Sequence, residues 1–362
     1  MYKVNPAAGR VLVGPQPGGY GPGSVRRKIA GECFGVINFE RDVFPILAPA
    51  LRQVVSRLDP RLLAAAEELR IRVGKPLLIR TGDVDLAVTP QGQANPGLVC
   101  GYLASQDDVW KTVHLMSQYS VYALEEELRH GYITVPGGHR VGLVGKAVLD
   151  EGRVRTLKYI AGINFRLARE IHGAADPVMP FIVKPPDRVL HTLIISPPRC
   201  GKTTLLRDIV RQVSDGVPHL DFAGVAVGVV DERSEIAGCV AGVPQNDIGV
   251  RTDVLDACPK VEGMGMLIRG MSPRVIATDE IGHADDVRAL EEALRAGVSL
   301  ITTVHGSSLD EIKQRPALRR VLQLRVFERF ITLGRSRGVG TVEAIIDGGT
   351  ETEVDRRGRG TQ

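Results

Sequence analysis

The chain has 362 residues, of which 43% are hydrophobic and 24% are charged. This composition supports a packed core and excludes wholesale disorder, and the length corresponds to about two domains. Lys and Arg number 46 against 42 for Asp and Glu, which leaves a net charge of +4, and aromatic residues make up only 4%. Neither figure is typical of a nucleic-acid-binding surface, so we expect no nucleic-acid partner.

The five cysteines are scattered and form no CxxC or CxxH pair. A disulfide framework and a zinc site are therefore not indicated, and a reducing compartment fits best. No apolar run reaches the roughly 20 residues that cross a bilayer. The first residues also lack the apolar segment of a signal peptide. We therefore expect a cytoplasmic protein whose contact with a membrane is peripheral.

Shifts in composition divide the chain into four segments. We expect residues 1–40, rich in Gly and Pro, to form a flexible arm, and residues 349–362, rich in Gly, Thr and charge, to form a flexible tail. Residues 41–180 mix helical and strand patterns, which predicts a smaller α+β domain. Residues 181–348 alternate strand, loop and helix, which predicts an α/β domain with a parallel sheet.

The elements of the predicted α+β domain follow from its hydrophobic periodicity and its turn residues. In chain order they are helices over 43–58 and 60–69, strands at 71–73, 77–79 and 84–88, a helix from 107, a helix over 121–128, a hairpin of 132–135 with 140–144, and strands at 154–160 and 163–168.

The α/β domain opens with a phosphate-loop pattern. The apolar run at 190–195 predicts a buried strand, and a helix with one apolar face follows the next nine residues. A strand, a loop ending in Gly-Lys-Thr and a helix form the context of a Walker A loop, whose backbone N–H groups bind phosphates. Gly201 permits close approach, Lys202 reaches the β and γ phosphates, and Thr203 places its hydroxyl on Mg²⁺. We assign nucleotide binding to the whole loop: Ser196, Pro197, Pro198, Arg199, Cys200, Gly201, Lys202, Thr203 and Thr204.

This loop departs from the pattern G-x-x-x-x-G-K-[ST] at two positions. Ser196 replaces the first Gly, and Arg199 stands where many such loops have Gly. A positive φ at either position would cost about 1 kcal/mol or more in a residue with a Cβ. We therefore expect a modest affinity for nucleotide.

A second strand, Arg274 to Thr278, ends in two carboxylates. Ligands of a doubly wound sheet bind at the carboxyl ends of its strands, so this strand aims Asp279 and Glu280 at the nucleotide. Asp279 is placed to hold the water shell of Mg²⁺, which is the Walker B role, and Glu280 is placed to orient the attacking water.

Two further strand ends carry candidate residues. The strand at 225–230 ends in Asp231 and Glu232, and Glu232 competes with Glu280 as the residue that orients water. The strand at 298–303 leads to His305, which we interpret as a sensor of the γ phosphate. A hairpin of 330–333 with 342–346, whose turn is basic, completes the predicted domain.

These motifs together closely resemble the stage III sporulation protein AA family. The resemblance rests on the phosphate loop, on Asp231-Glu232-Arg233-Ser234-Glu235, on Asp279-Glu280-Ile281-Gly282 and on Thr303-Val304-His305-Gly306. The segments at 138–142 and 163–166 resemble the family too, so that the likeness extends over about 41–347. In this frame the chain is also similar to the secretion ATPases of type II and type IV systems.

The resemblance implies a RecA-like P-loop ATPase core behind a smaller N-terminal domain, assembled as a homo-hexameric ring, with ATP and Mg²⁺ as cofactors. It implies ATP hydrolysis at the cytoplasmic face of a membrane complex between mother cell and forespore, whose integral membrane proteins are the expected partners. By analogy, Asp231 and Glu232 match the aspartate box of secretion motors, and His305 matches their histidine box.

Rings of this type complete each nucleotide site with an arginine from a neighbouring subunit or from the N-terminal domain. The candidates are Arg140, Arg166 and Arg233, and an ordinary ion pair is the alternative for each. Two alternatives to an ATPase motor also remain. One is a nucleotide switch or scaffold with negligible turnover, and the other is a RecA-like ATPase stimulated by nucleic acid.

Overall fold

A computed structural model describes residues 37–97, 100–117, 131–282 and 284–354. Most of the predicted arm, the predicted helix over 121–128 and residues 355–362 lie outside them. The described chain forms two seven-stranded sheets, each with its own helices and its own buried cluster of apolar side chains.

The first sheet is antiparallel throughout, with the strand order β4-β3-β2-β1-β7-β6-β5. Its strands are β1 (Glu68–Arg72), β2 (Leu78–Thr81), β3 (Val84–Val88), β4 (Ala94–Asn95), β5 (Tyr132–Val135), β6 (His139–Asp150) and β7 (Arg153–Arg166). Three helices accompany it: α1 (Pro49–Val55), α2 (Pro60–Ala65) and α3 (Gln106–Met116). A capping box begins α3, because the Ser105 side chain accepts from Asp108 N and the Asp108 carboxylate accepts from Ser105 N.

Two helix predictions in this part were wrong. The predicted helix over 43–58 is divided into a π-helical turn, a 3-10 turn and α1, since Pro45 and Pro49 lack the N–H that a continuous helix requires. The predicted helix over 60–69 ends at Ala65. The chain then enters β1, where Leu69 and Ile71 are buried beside more exposed arginines. That alternation has the period of a strand.

The second sheet has the order β12-β11-β13-β14-β10-β15-β16 and is parallel except at β16. Its strands are β10 (Thr192–Ser196), β11 (Val227–Asp231), β12 (Thr252–Asp256), β13 (Val275–Glu280), β14 (Ser299–His305), β15 (Arg329–Gly334) and β16 (Thr341–Asp347). The short hairpin of β8 (Val183–Lys184) and β9 (Arg188–Val189) precedes it, after the helical turn α4 (Met179–Ile182). Residues after β16 turn back beside it, and Val354 N donates to Ile345 O over 2.7 Å.

Helices cover both faces of the parallel sheet. They are α5 (Lys202–Asp215), α6 (Lys260–Met271), α7 (Ala284–Arg295), α8 (Leu309–Gln314) and α9 (Pro316–Gln323). On one face α5 packs Leu206 and Ile209 against buried side chains such as Ile301. On the other face α6 and α7 pack Leu267 and Leu290 against a second cluster. The arrangement confirms the predicted fold class, a RecA-like α/β core accompanied by a smaller α+β part.

His139, at the start of β6, makes the N-terminal sheet sensitive to acid. The imidazole is 2% exposed, and its Nδ1 accepts a hydrogen bond from Ala168 N over 3.0 Å. Burial lowers the pKa of His139 to about 4 from 6.5. Because the unfolded chain takes up this proton at a higher pH than the folded chain, the stabilisation from the neutral imidazole is lost as the pH falls from 6.5 to 4.

We predict that this one histidine removes about 3 kcal/mol of unfolding free energy between pH 7 and pH 4. Urea unfolding of the wild type and of His139→Asn across this range measures the effect. The asparagine side chain can still accept a hydrogen bond from Ala168 N, but it cannot take up a proton. The unfolding free energy of the variant should therefore fall by about 3 kcal/mol less than that of the wild type. Parallel curves for the two proteins would contradict the prediction.

Candidate functional site

The loop between β10 and α5 has the backbone shape of an anion cradle. Ser196, the last residue of β10, is fully buried, and α5 begins at Lys202 after the N-cap Gly201. Two loop residues adopt the left-handed conformation, Arg199 with φ 59° and Gly201 with φ 82°. Left-handed residues before a helix N-terminus turn successive backbone N–H groups inward, which suits a phosphate.

The two departures from the motif therefore differ in their consequences. Ser196 ends a strand and is not among the positive-φ residues of the described chain, so its Cβ brings no backbone strain. Arg199 does adopt positive φ, which costs a non-glycine residue roughly 1–2 kcal/mol. Inside the loop, Cys200 is buried and its thiol approaches Pro198 O at 3.6 Å, so its side chain packs within the loop as a small apolar residue.

The turn between β15 and β16 lies against the phosphate loop. Arg335 Nη2 donates to Arg199 O over 2.9 Å. On the same side, a Cβ placed on Gly201 would lie 3.2 Å from Gly340 Cα. The basic turn of the C-terminal hairpin is thus one wall of the site, which the sequence alone did not indicate.

Glu280 connects the phosphate loop to the neighbouring strand ends. Its Oε2 lies 3.6 Å from Lys202 Nζ and 3.2 Å from His305 Nε2. His305 in turn places Nδ1 3.4 Å from Ser196 O. Burial lowers the pKa of Lys202, while the carboxylates of Glu280 and Asp279 oppose that shift. The structure therefore brings three of the predicted site residues together at the carboxyl end of β10, β13 and β14.

Asp279 is the buried acid of this edge, 6% exposed. Burial raises its pKa to about 6, and Lys260 is the charge that opposes the rise most strongly. The Asp279 carboxylate and the Thr203 hydroxyl are oxygen donors, the type that Mg²⁺ prefers when one or two protein groups share it with phosphates. This donor set fits Mg²⁺. Among the described residues, no cluster of three or more His, Cys, Asp and Glu side chains forms a metal site by itself.

Asp231 organises the segment that follows β11, residues 231–247, which we call the Asp231 loop. Its fully buried carboxylate accepts hydrogen bonds from the backbone N–H groups of Glu235, Ile236 and Ala237, at 2.8, 3.0 and 2.8 Å. Burial raises the pKa of Asp231 and the three bonds oppose the rise. From α5, Arg207 donates to the carbonyls at 235 and 236. The predicted aspartate box is therefore a buried structural anchor at Asp231 and a more exposed carboxylate at Glu232.

The N-terminal sheet contacts the Asp231 loop directly. Arg140 Nη1 forms an ion pair with Glu235 Oε1 at 2.6 Å, and its guanidinium lies 3.6 Å above the centre of the Tyr132 ring. Gly138 and Gly238 pack so closely that a Cβ on Gly238 would lie 3.0 Å from Gly138 Cα. The Asp231 loop and the N-terminal sheet are therefore held together by an ion pair and by close backbone packing.

The three candidate arginines occupy different positions around this contact. Arg166 is exposed on β7 directly opposite Arg140 on β6, so two of the candidates are cross-strand neighbours. Arg233 is exposed in the Asp231 loop, and its charge is among those that lower the pKa of Asp279.

Two residues of the site were missed by sequence reasoning. Lys260, the first residue of α6, pairs with Glu232 and lies 3.9 Å from Asp279. Asp256, at the end of β12, accepts a hydrogen bond from the Ser234 hydroxyl. β12 itself was not predicted, because its residues are all half-buried and none of the usual apolar runs marks it. The position of Lys260 directly after Pro259, before an apolar helix, is the signal that could have been used.

Comparison with known proteins identifies a family and two relatives of this chain. The family described as "Sporulation stage III, protein AA" matches residues 38–352. Stage III sporulation protein AA of Bacillus subtilis (strain 168) is 43% identical over 307 residues, which is 84% of this chain and 94% of that protein. Protein SEEDLING PLASTID DEVELOPMENT 1 of Arabidopsis thaliana is 31% identical over 169 residues, or 46% of this chain and 23% of that protein.

Two solved structures are similar in shape. The Legionella pneumophila ATPase DotB has a TM-score of 0.48 at 18% identity, covering 74% of this chain and 71% of its own. The pilus retraction motor PilT with bound ADP also has a TM-score of 0.48, at 14% identity, covering 80% of this chain and 77% of its own. At TM-scores below 0.5 these likenesses add nothing to what the strand order already gives.

No helix within the described ranges is long and apolar enough to span a bilayer.

The left-handed N-cap at Gly201 yields a test of the cradle geometry. We predict that Gly201→Ala lowers the unfolding free energy by roughly 1–2 kcal/mol and weakens nucleotide binding, because an L-residue is strained at φ 82° and its Cβ meets backbone at Gly340. Denaturant unfolding and binding of a fluorescent ADP analogue measure the two effects.

Gly270→Ala is the matched control for that substitution. Gly270 lies in α6, and a Cβ there would meet nothing within 4 Å. We expect it to raise stability by up to about 1 kcal/mol, because Ala favours a helix over Gly. Equal effects of the two substitutions would contradict the assigned geometry.

Proposed function

The chain belongs to the stage III sporulation protein AA family, and from that premise we propose that it is an Mg²⁺-dependent ATPase. We propose further that it is the motor or assembly factor of a sporulation-specific, secretion-like membrane complex between mother cell and forespore. The observation that carries the ATPase proposal is the contact of Glu280 with both Lys202 and His305, at 3.6 and 3.2 Å, beside the phosphate loop. A lysine, a carboxylate and a histidine at one edge of a parallel sheet can bind a triphosphate and direct a water at its γ phosphorus.

In the proposed reaction, the loop N–H groups and Lys202 hold the β and γ phosphates, and these phosphates replace the Glu280 carboxylate as the partner of Lys202. Thr203 and Asp279 are the residues that would hold Mg²⁺, which when bound neutralises phosphate charge. Glu280, released from Lys202, accepts a hydrogen bond from the attacking water and orients it. His305, the last residue of β14, lies within hydrogen-bonding distance of Glu280 and senses the γ phosphate.

The geometry favours Glu280 over Glu232 as the water-orienting residue. Glu280 lies against Lys202, the residue that contacts the reacting phosphate, whereas the Glu232 carboxylate is paired with Lys260 on the other side of Asp279. A base must lie within hydrogen-bond reach of the proton that it accepts. The position of Glu280, and not its acidity, is therefore the reason that we assign it this role.

The assembly part of the proposal concerns the two sheets. We propose that residues 41–180 form the smaller N-terminal domain and 181–348 the ATPase domain, flanked by the arm and the tail. Six copies would form a ring at the cytoplasmic face of the membrane, bound to integral membrane proteins of the complex. The pairing of Arg140 with Glu235 supports a route by which the N-terminal domain delivers Arg140 or Arg166 to the developing phosphate charge. Arg233, in the Asp231 loop of the ATPase domain, is the third candidate and would act on the site of a neighbouring subunit.

Phosphate release by the purified chain tests the ATPase proposal. We predict Mg²⁺-dependent turnover in the wild type, and loss of both nucleotide binding and turnover in Lys202→Ala, because the lysine meets the transferred phosphate. Lys184→Ala, at an exposed lysine on β8, is the control and should match the wild type. Turnover that survives Lys202→Ala would refute the ATPase, whereas nucleotide binding without turnover in the wild type would favour a switch.

A separate prediction concerns the two glutamates. Glu280→Gln should lower kcat by roughly 100-fold or more with little change in KM, since the amide cannot accept a proton from water. Glu232→Gln should have the smaller effect on kcat. Steady-state kinetics of both variants decides the assignment, and a larger loss in Glu232→Gln would reverse it.

A further inference from the structure

Lys260 is a buried lysine that the proposed reaction does not use. Its side chain is 9% exposed, and its ammonium pairs with Glu232 Oε2 and lies 3.9 Å from Asp279 Oδ1. Lysines are almost never this buried unless an acid pairs with them, so the two carboxylates are what allow a charged lysine at this position.

The packing of α6 explains how Lys260 reaches the site. Lys260 is the first residue of α6, and the helix lies very close to β11, because a Cβ on Gly263 would come within 2.7 Å of a Val230 methyl group. One turn of helix then separates this close contact from Lys260. The ammonium is therefore fixed between the end of β11, which carries Glu232, and the end of β13, which carries Asp279.

This place matters because Asp279 is the carboxylate that would hold Mg²⁺. A fixed positive charge beside that carboxylate competes with a divalent cation for it. Glu232 is the nearer partner of the ammonium, so Lys260 is shared between two carboxylates and does not pair with Asp279 alone.

We propose that Lys260 is a positioning residue that lies beside Asp279, cross-links it to Glu232, and thereby sets the Mg²⁺ concentration that the site requires. The inference rests on the proposed function for the identity of the metal and the nucleotide. In this proposal the Lys260 ammonium would move away from Asp279 when Mg²⁺ binds with nucleotide, and it would stay paired with Glu232.

The test measures the Mg²⁺ concentration that gives half-maximal binding of N-methylanthraniloyl-ADP to the full chain. In Lys260→Met this midpoint should fall about tenfold or more, because a unit charge about 5 Å from a divalent ion repels it by that factor even in water. Lys260→Arg should restore the wild-type midpoint, since it keeps the charge. An unchanged or higher midpoint in a folded Lys260→Met would overturn the proposal.

Lys313 provides a matched control. Its ammonium also joins two carboxylates, Glu351 at 2.6 Å and Asp310 at 3.9 Å, but on the surface, with the side chain 38% exposed. Lys313→Met should leave the Mg²⁺ midpoint unchanged, and a shift equal to that of Lys260→Met would overturn the proposal as a nonspecific charge effect.

A second variant covers the case in which Lys260→Met does not fold. Lys260→Met with Glu232→Gln removes both partners of the ion pair, which a protein tolerates better than the loss of one. This variant still removes the positive charge that lies 3.9 Å from Asp279 Oδ1, so its Mg²⁺ midpoint should also fall, by less than in Lys260→Met because the negative charge of Glu232 is lost as well. An unchanged or higher midpoint in this variant would overturn the proposal.

The two proposals fail in different ways. If the wild type binds the ADP analogue in a Mg²⁺-dependent manner but releases no phosphate, the ATPase proposal fails. The Mg²⁺ midpoints of the wild type and Lys260→Met then still decide the Lys260 proposal. If phosphate is released but the midpoints of wild type and Lys260→Met agree, the Lys260 proposal fails alone. A wild type whose ADP binding does not respond to Mg²⁺ overturns the Lys260 proposal directly.

Discussion

The organisation of the site depends on balancing the charge of one lysine that lies largely out of water. Lys202, at the first position of α5, must keep its ammonium inside the edge of a parallel sheet, where desolvation disfavours it. Glu280 supplies the opposing charge at 3.6 Å. A triphosphate offers the same lysine a stronger partner, and its arrival would release the glutamate for another task. The order of strands β13, β14 and β10 is what places these two side chains at one edge.

The same requirement for charge balance extends across the sheet to the N-terminal part of the chain. Asp231 is buried and neutralised by backbone N–H groups of its own loop, while Lys260 neutralises Glu232 and faces Asp279. Within that loop Glu235 pairs with Arg140 of the antiparallel sheet. Ion pairs, hydrogen bonds and the adjacent backbone positions of Asp279 with Glu280 and of Asp231 with Glu232 thus link the phosphate loop to the other sheet.

Much of the site was predictable because its residues are set by short motifs at strand ends. Glu280 and His305 lie at the ends of apolar strands, Lys202 follows such a strand across the phosphate loop, and the carboxyl ends of parallel strands meet at one edge. Lys260 was not predictable in this way. Its place after Pro259 marks the start of a helix, but the close approach of α6 to β11 at Gly263, which brings Lys260 to Asp279, has no signal in the sequence. The prediction of a helix over 60–69 was wrong because contacts distant in sequence decide the structure there too. The Ala-rich stretch favours a helix locally, but pairing of β1 with β2 and β7 buries Leu69 and overrides that preference.

The most direct test of this account is a crystal structure of the chain with a non-hydrolysable ATP analogue and Mg²⁺. The account predicts the β and γ phosphates in the loop of residues 197–203, with Lys202 Nζ moved from Glu280 to a phosphate oxygen. A loop left without phosphate at a saturating concentration of the analogue, or filled by the side chain of Arg199, would contradict it.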